Sequence, residues 1–183
     1  MIRMIAAMSL DRVIGVYKGH RCYLPWRRDE FPGDLKRFRE LTDDGVVVMG
    51  NKTFLSMRRK PLPNRLNIVI TRSVEKPKIL QKDDVRGHGL VLAPGDLDSA
   101  VFKAGEDDYL DFWVIGGRQI FQLFFPVAHE IDLTIMPIKV FNKKVKQHLV
   151  YFPEVDEENW EKVGVSQHPY NDRLRTIKYR RKQ

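Results

Sequence analysis

Asp111-Phe112-Trp113-Val114-Ile115-Gly116-Gly117-Arg118-Gln119-Ile120-Phe121 reads as an apolar strand that runs through two glycines into a helix. Phe112 to Ile115 shows no polar alternation, so the strand is expected to be buried on both faces, as in a parallel sheet covered by helices. Paired glycines let a backbone turn sharply and approach a ligand closely, and a helix start presents unpaired amide hydrogens to a phosphate. A tight turn alone also uses two glycines. The segment lacks the G-x-G-x-x-G fingerprint and gives no support to a conventional Rossmann domain.

The same grammar extends in both directions. Further β-prone runs lie at Ile2 to Met8, Val46 to Met49, Leu66 to Ile70, Leu90 to Ala93 and Ile131 to Ile138. Helical periodicity lies between them at Asp34 to Thr42, Lys52 to Met57, Asp96 to Ala104 and Arg118 to Phe125. Strands alternating with helices make an α/β fold. Trp160 to Gln167 and Arg173 to Arg180 flank the turn-forming Pro169-Tyr170-Asn171-Asp172 and read as a terminal antiparallel hairpin. The chain has 183 residues, 43% of them hydrophobic, and no linker or repeat divides it, so one domain over 1–183 is expected.

Lysine and arginine number 32 against 24 acids, a formal charge of +8, which favours anionic partners without naming one. Basic residues gather at Arg58-Arg59-Lys60, Lys139 to Lys146 and Arg173 to Lys182, each also readable as a solvated surface. Cys22 is the only cysteine, which excludes an intrachain disulfide and fits a reducing compartment. The histidines at 20, 88, 129, 148 and 168 are scattered, and His20 with Cys22 is no four-ligand set, so no metal is expected. Asn51-Lys52-Thr53 matches a glycosylation sequon, but the apolar run Ile2 to Met8 is cut off by Asp11, too early for a secretory signal. Nothing approaches a membrane span of about 20 apolar residues. A soluble cytoplasmic protein is the expectation.

Two more strand-to-helix junctions carry ligand-binding chemistry. Val46-Val47-Val48-Met49-Gly50-Asn51-Lys52-Thr53 approaches a phosphate loop, but Asn51 separates glycine from lysine and the residues after Gly45 are a β run. Lys52 and Thr53 still fall at a helix start. Leu66 to Ile70 ends in Thr71-Arg72-Ser73, where Arg72 suits a bidentate phosphate contact. Together the three junctions suggest an extended phosphorylated ligand. Upstream, Leu24-Pro25-Trp26-Arg27-Arg28-Asp29-Glu30-Phe31-Pro32-Gly33-Asp34 ends in a carboxylate that opens a helix with Leu35, Phe38 and Leu41 on one stripe. An Asp there is ordinarily an N-cap. It can also read a small heterocycle.

Ile5-Ala6-Ala7, Asp11-Arg12-Val13-Ile14-Gly15, Leu24-Pro25-Trp26, Asp34, Met49-Gly50 with Thr53, Pro61-Leu62-Pro63 with Arg65, and Val114-Ile115-Gly116-Gly117 follow one another in an order that resembles the dihydrofolate reductases. The resemblance is close over about residues 1–137 and looser beyond. Asp rather than Glu at 34 looks bacterial or phage-like. The resemblance implies a twisted, mainly parallel eight-stranded sheet with about four helices. It also implies NADPH-dependent reduction of 7,8-dihydrofolate to tetrahydrofolate, in support of one-carbon metabolism and thymidylate synthesis, by a monomer.

By that resemblance Asp34 pairs with the pterin's amino group and ring nitrogen, and Thr134 hydrogen-bonds Asp34. Leu24 and Trp26 join them at the reacting rings. Ile5 and Ile115 offer carbonyls, beside Ala6, while Leu35, Phe38, Met57 and Leu62 line the substrate pocket and Arg65 holds the glutamate carboxylate. Ala7, Ile14 and Gly15 face the nicotinamide. Gly50, Asn51, Lys52, Thr53, Thr71, Arg72 and Ser73 take the phosphates and adenosine, and Ile115, Gly116, Gly117, Arg118, Gln119, Ile120 and Phe121 the pyrophosphate and its surroundings. The loop from Val16 to Leu24 is expected to close over both rings.

The sequence departs from the family pattern in places. Asn51 stands where a basic residue is common, leaving Lys52 and Arg72 to select NADPH. Phe121 replaces a frequent tyrosine, Tyr17 to Tyr23 lengthens the closing loop, Arg28-Asp29-Glu30 is extra, and the usual Gly-Asp before Phe152-Pro153 is absent. Two rival readings are a pyrimidine reductase of riboflavin synthesis and a basic nucleic-acid-binding module. The first does not call for Leu24-Pro25-Trp26 with Asp34. The second would interleave aromatics with its charge, and Tyr170 and Tyr179 supply little of that.

Overall fold

A computed structural model describes residues 1–19, 21–72, 78–80, 88–92, 111–140 and 148–182. Its strands are β1 (Ile2–Ser9), β2 (Val13–Lys18), β3 (Arg21–Tyr23), β4 (Val46–Gly50), β5 (Leu66–Ile70), β6 (Lys78–Leu80), β7 (His88–Leu92), β8 (Phe112–Gly116), β9 (Glu130–Met136), β10 (His148–Tyr151), β11 (Trp160–His168) and β12 (Asn171–Arg181). Its described helices are α1 (Asp34–Thr42), α2 (Asn51–Ser56) and α3 (Arg118–Phe124). The helix expected at Asp96 to Ala104 lies outside the described residues.

Nine strands form the main sheet in the order β11-β12-β9-β1-β8-β4-β5-β7-β6. The pairs around β1, β4 and β5 are parallel, and antiparallel pairing is confined to β9-β12-β11 and β6-β7 at the two sides. The expected class therefore holds, with nine strands rather than eight among the described residues. The terminal hairpin pairs Trp160 with Arg181 and continues the sheet through β9. β9 stops at Met136, short of Ile138, which lies beyond the end of the strand.

The unbroken apolar runs are explained by burial on both faces. Val46 and Val48 join Met4, Ile68, Phe112 and Val114 on one face, under Ile120, Phe121 and Phe124 of α3. Val47 and Met49 point the other way, with Ile5, Val69 and Trp113, under Phe38 and Leu41 of α1 and Phe54 of α2. At about 1.5–3 kcal/mol for each large apolar side chain buried, both layers contribute to stability. β9 breaks this symmetry. Ile131 and Leu133 enter the α3 face, so strand alternation turns Asp132 and Thr134 toward the α1 face.

One correction concerns the segment expected as a loop from Val16 to Leu24. Val16–Lys18 and Arg21–Tyr23 pair as strands, and β10 joins β2, making a separate sheet ordered β10-β2-β3. This hairpin packs on α2, where Lys52 Nζ lies 4.8 Å from the Tyr17 ring centre.

Candidate active site

Asp34 opens α1, but it is not the cap. Gly33 is the N-cap residue, with a left-handed φ of 96°, and no side chain caps the helix. A methyl at Gly33 would fall 2.5 Å from Tyr170 Cβ, so the glycine also admits the terminal hairpin against the helix start. Freed from capping, the Asp34 carboxylate accepts a hydrogen bond from the Thr134 side chain across on β9. Burial pushes its carboxyl above the ordinary carboxylate range, against the opposing pull of that hydrogen bond and of the Arg37 charge.

The acid borders an apolar wall. Phe38, Met57, Leu62 and Ile115 are partly buried and pack on one cluster with Ile5, Val47 and Trp113. Ile5, Phe38, Met57, Leu62 and Ile115 are five of the expected substrate-lining residues, drawn from β1, α1, the C-cap of α2, the segment before β5, and β8. Ala6 and Ala7 follow Ile5 along β1, with Ala7 opposite Thr134. Leu35 is 50% exposed and Leu24 is 45% exposed, so neither belongs to the packed wall. Trp26 is buried with Phe31, Met136 and Leu174 in a small cluster that Ala7 joins.

Arg65 lies at the far end of the wall, 6% exposed. Its Nε donates to the Pro63 carbonyl at 2.9 Å and its Nη1 to Thr42 Oγ1 at 2.7 Å, and its guanidinium stands 5.9 Å from the Phe38 ring centre. Burial first, then Arg39, lower its proton affinity while Asp43 supports it. The cation is fixed in direction.

The glycine junctions meet on neighbouring strands. β4 and β8 are parallel partners, with Met49 opposite Gly116, and they lead into α2 and α3 through Gly50 and Gly117, neither helix having a side-chain cap. A methyl on Gly117 would sit 3.4 Å from Thr53 Oγ1. Gly116 has φ 108°, and a methyl there would fall 2.9 Å from the Phe121 ring. The strand ends thus present bare backbone, with Asn51, Thr53, Arg118 and Gln119 around it. Ile120 and Phe121 send their side chains into the core instead, Phe121 standing edge-on to Phe152 at 4.9 Å, so they offer backbone only. Gly15 on β2 is buried and Ile14 packs on the α3-side core. Thr71 is half-buried and Arg72 exposed, and Ser73 lies outside the described residues.

Sequence reasoning missed Arg37 and Asp132. Arg37 Nη2 lies 2.8 Å from Asp132 Oδ1 and 2.9 Å from Oδ2, and both side chains are less than a tenth exposed. Only Oδ2 meets hydrogen-bond geometry, which leaves Oδ1 buried without a donor among the described residues. The available signal was an acid inside the apolar run Ile131-Asp132-Leu133, two positions before Thr134.

Among the described residues, no group of three or more His, Cys, Asp and Glu could hold a metal ion, and no helix is long and apolar enough to cross a membrane. The family model for dihydrofolate reductase matches residues 1–182. The chain is 33% identical to the dihydrofolate reductase of Bacillus subtilis over 167 residues, covering 91% of this chain and 84% of that one. It is 30% identical to the type 3 dihydrofolate reductase of Salmonella typhimurium over 173 residues, 94% and 91% of the two chains. A solved dihydrofolate reductase from Enterococcus faecalis, complexed with NADP(H) and RAB-propyl, aligns with a TM-score of 0.70 at 29% identity over 100% of this chain and 97% of that one. These matches do not favour the pyrimidine reductase or nucleic-acid readings, and the chain belongs to the dihydrofolate reductase family.

Proposed function

We propose that Asp34 is the residue that recognises and polarises the pterin in the reduction of 7,8-dihydrofolate to tetrahydrofolate by NADPH. The reaction and the cofactor follow from family membership. The observation that carries the assignment to Asp34 is a carboxylate raised by burial at the edge of an apolar wall, held by Thr134 rather than spent on its own helix. An ionised or protonated acid there pairs with the amino group and ring nitrogen of a flat heterocycle, while Phe38, Ile5 and Ile115 exclude water from it.

The residues around the glycine junctions fit the cofactor, because the two parallel strands end side by side and the backbone at Gly117 lies open, a methyl there meeting only Thr53 Oγ1 at 3.4 Å. When bound, NADPH supplies the hydride. Gly50, Asn51, Lys52, Thr53, Thr71, Arg72 and Ser73 would hold its phosphates and adenosine, Gly116 to Gln119 its pyrophosphate, and Ala7, Ile14 and Gly15 its reactive end. Leu24 would cover the rings. The protein's part is alignment of two flat rings and support of proton delivery to the pterin's N5, with water as carrier and Asp34 orienting the ring. Arg65, Met57, Leu62 and Leu35 would take the benzoyl-glutamate portion. The lone Cys22 fits a cytoplasmic setting, and we read the chain as one domain and a monomer.

Steady-state oxidation of NADPH in the presence of dihydrofolate tests the assignment. Asp34→Asn is expected to lower turnover by about 100-fold or more at neutral pH. Full activity in a folded variant would reject it.

A further inference from the structure

The ion pair between Arg37 and Asp132 is not accounted for by stability. A buried pair gains little over well-packed apolar residues of similar size. Its position is informative instead. Asp34 and Arg37 are three apart on α1 and so share a face, while Asp132 and Thr134 are two apart on β9 and share the other. Asp34 meets Thr134 and Arg37 meets Asp132, making two rungs between the same helix and the same strand.

We propose that Arg37 and Asp132 are positioning residues for Asp34, docking the first turn of α1 on β9 and balancing the charge beside the acid. The inference rests on the reading of Asp34 as the pterin acid. After burial and the Thr134 hydrogen bond, the Arg37 charge is the remaining influence on Asp34, and it favours the ionised carboxylate. Asp132 offsets it. The other groups facing the pair are few. On β11, His168 is 3% exposed, its proton affinity lowered first by burial and then by Arg37, with Asp132 opposing; its Nδ1 accepts the Tyr170 amide hydrogen at 3.2 Å. On β12, Lys178 Nζ lies 3.9 Å from Asp132 Oδ2 but is 60% exposed, so solvent screens it. Ile5 and Ala7 of β1 bring no charge.

The test is the titration of the Asp34 carboxyl in the ligand-free protein, followed by carbon NMR and assigned as the resonance lost in Asp34→Asn. Asp132→Asn retains a hydrogen-bond acceptor for Arg37 but removes the counter-charge, and the Asp34 midpoint is expected to fall by about one pH unit. Arg37→Gln removes the cation and should move it up by a similar amount. The double variant should lie between them. Because the two single substitutions have opposite signs, either one that folds carries the test, and a purely structural pair would cost thermal stability without displacing the midpoint. Native-like unfolding with an unmoved midpoint overturns the proposal. Undiminished dihydrofolate turnover in Asp34→Asn instead overturns the reading of the acid on which it rests.

Discussion

The Asp34 carboxylate accepts a hydrogen bond from Thr134, joining the first turn of α1 to the strand two places from the sheet's antiparallel edge. Thr134 itself is 3% exposed, so its hydroxyl is not offered to water. Thr134→Val keeps the shape and removes the donor. A hydrogen bond to a charged group contributes about 1.5–3 kcal/mol, so the Asp34 midpoint should rise and dihydrofolate binding should weaken by about 10-fold or more. A variant that folds, binds and titrates as the parent does would show that the bond is incidental.

Burial has a stability cost that depends on pH. The folded-state pKa of Asp34 is raised above its unfolded value near 3.8. Its contribution to stability is therefore fully present below that value and lost as pH rises through the folded pKa. Asp34→Asn does not titrate. Its urea midpoint relative to the parent should improve as pH is raised from below 3.8 to neutrality, a gain in stability set against a loss of activity. A pH-independent difference would mean that the acid is not desolvated in the folded protein.

Much of this was readable because it is local. The bounds of α1 coincide with the helical stripe at Asp34 to Thr42, and β5 with the run Leu66 to Ile70, since in both the periodicity and burial agree. The glycine junctions were visible for the same reason. The β2–β3 hairpin was not, because both strands are short, Gly15 falls inside the first, and β10 pairs with β2 from far along the chain. Arg37 and Asp132 are 95 residues apart, and neither carries a local signal of the other. The segment before Asp34 is also held at long range. Arg173 reaches the Glu30 carbonyl and stands 5.0 Å from the Phe31 ring centre, while Asn171 donates to the Pro32 carbonyl at 2.9 Å. The segment from Glu30 to Pro32 is clasped by the terminal hairpin.

Gly116 permits no side chain on two counts. Its φ of 108° is disfavoured for L residues, and a methyl would meet a Phe121 ring that is 2% exposed and braced by Phe152. Gly116→Ala should cost about 1–3 kcal/mol from the backbone alone, lowering the denaturant midpoint and weakening NADPH binding. Adding Phe121→Leu should recover part of the stability by giving the methyl room. No recovery would place the strain wholly in the backbone.

Arg65 is held before any ligand arrives. Thr42 and Pro63 take two of its donors and little of the side chain reaches solvent, so a partner carboxylate meets a cation of fixed direction with little ordering left to lose. That geometry distinguishes ligands by their tails. Arg65→Ala should weaken dihydrofolate binding by about 10- to 100-fold, the range of a lost charged hydrogen bond, and leave a pterin lacking the glutamate nearly unaffected. Fluorescence titration with the two ligands measures both numbers on one variant. Equal losses would mean that Arg65 supports the wall through Thr42 and Phe38 rather than binding the carboxylate, and Arg65→Lys separates the cases further. Lysine retains charge but not the planar fork, so a carboxylate clamp should be only partly rescued by it.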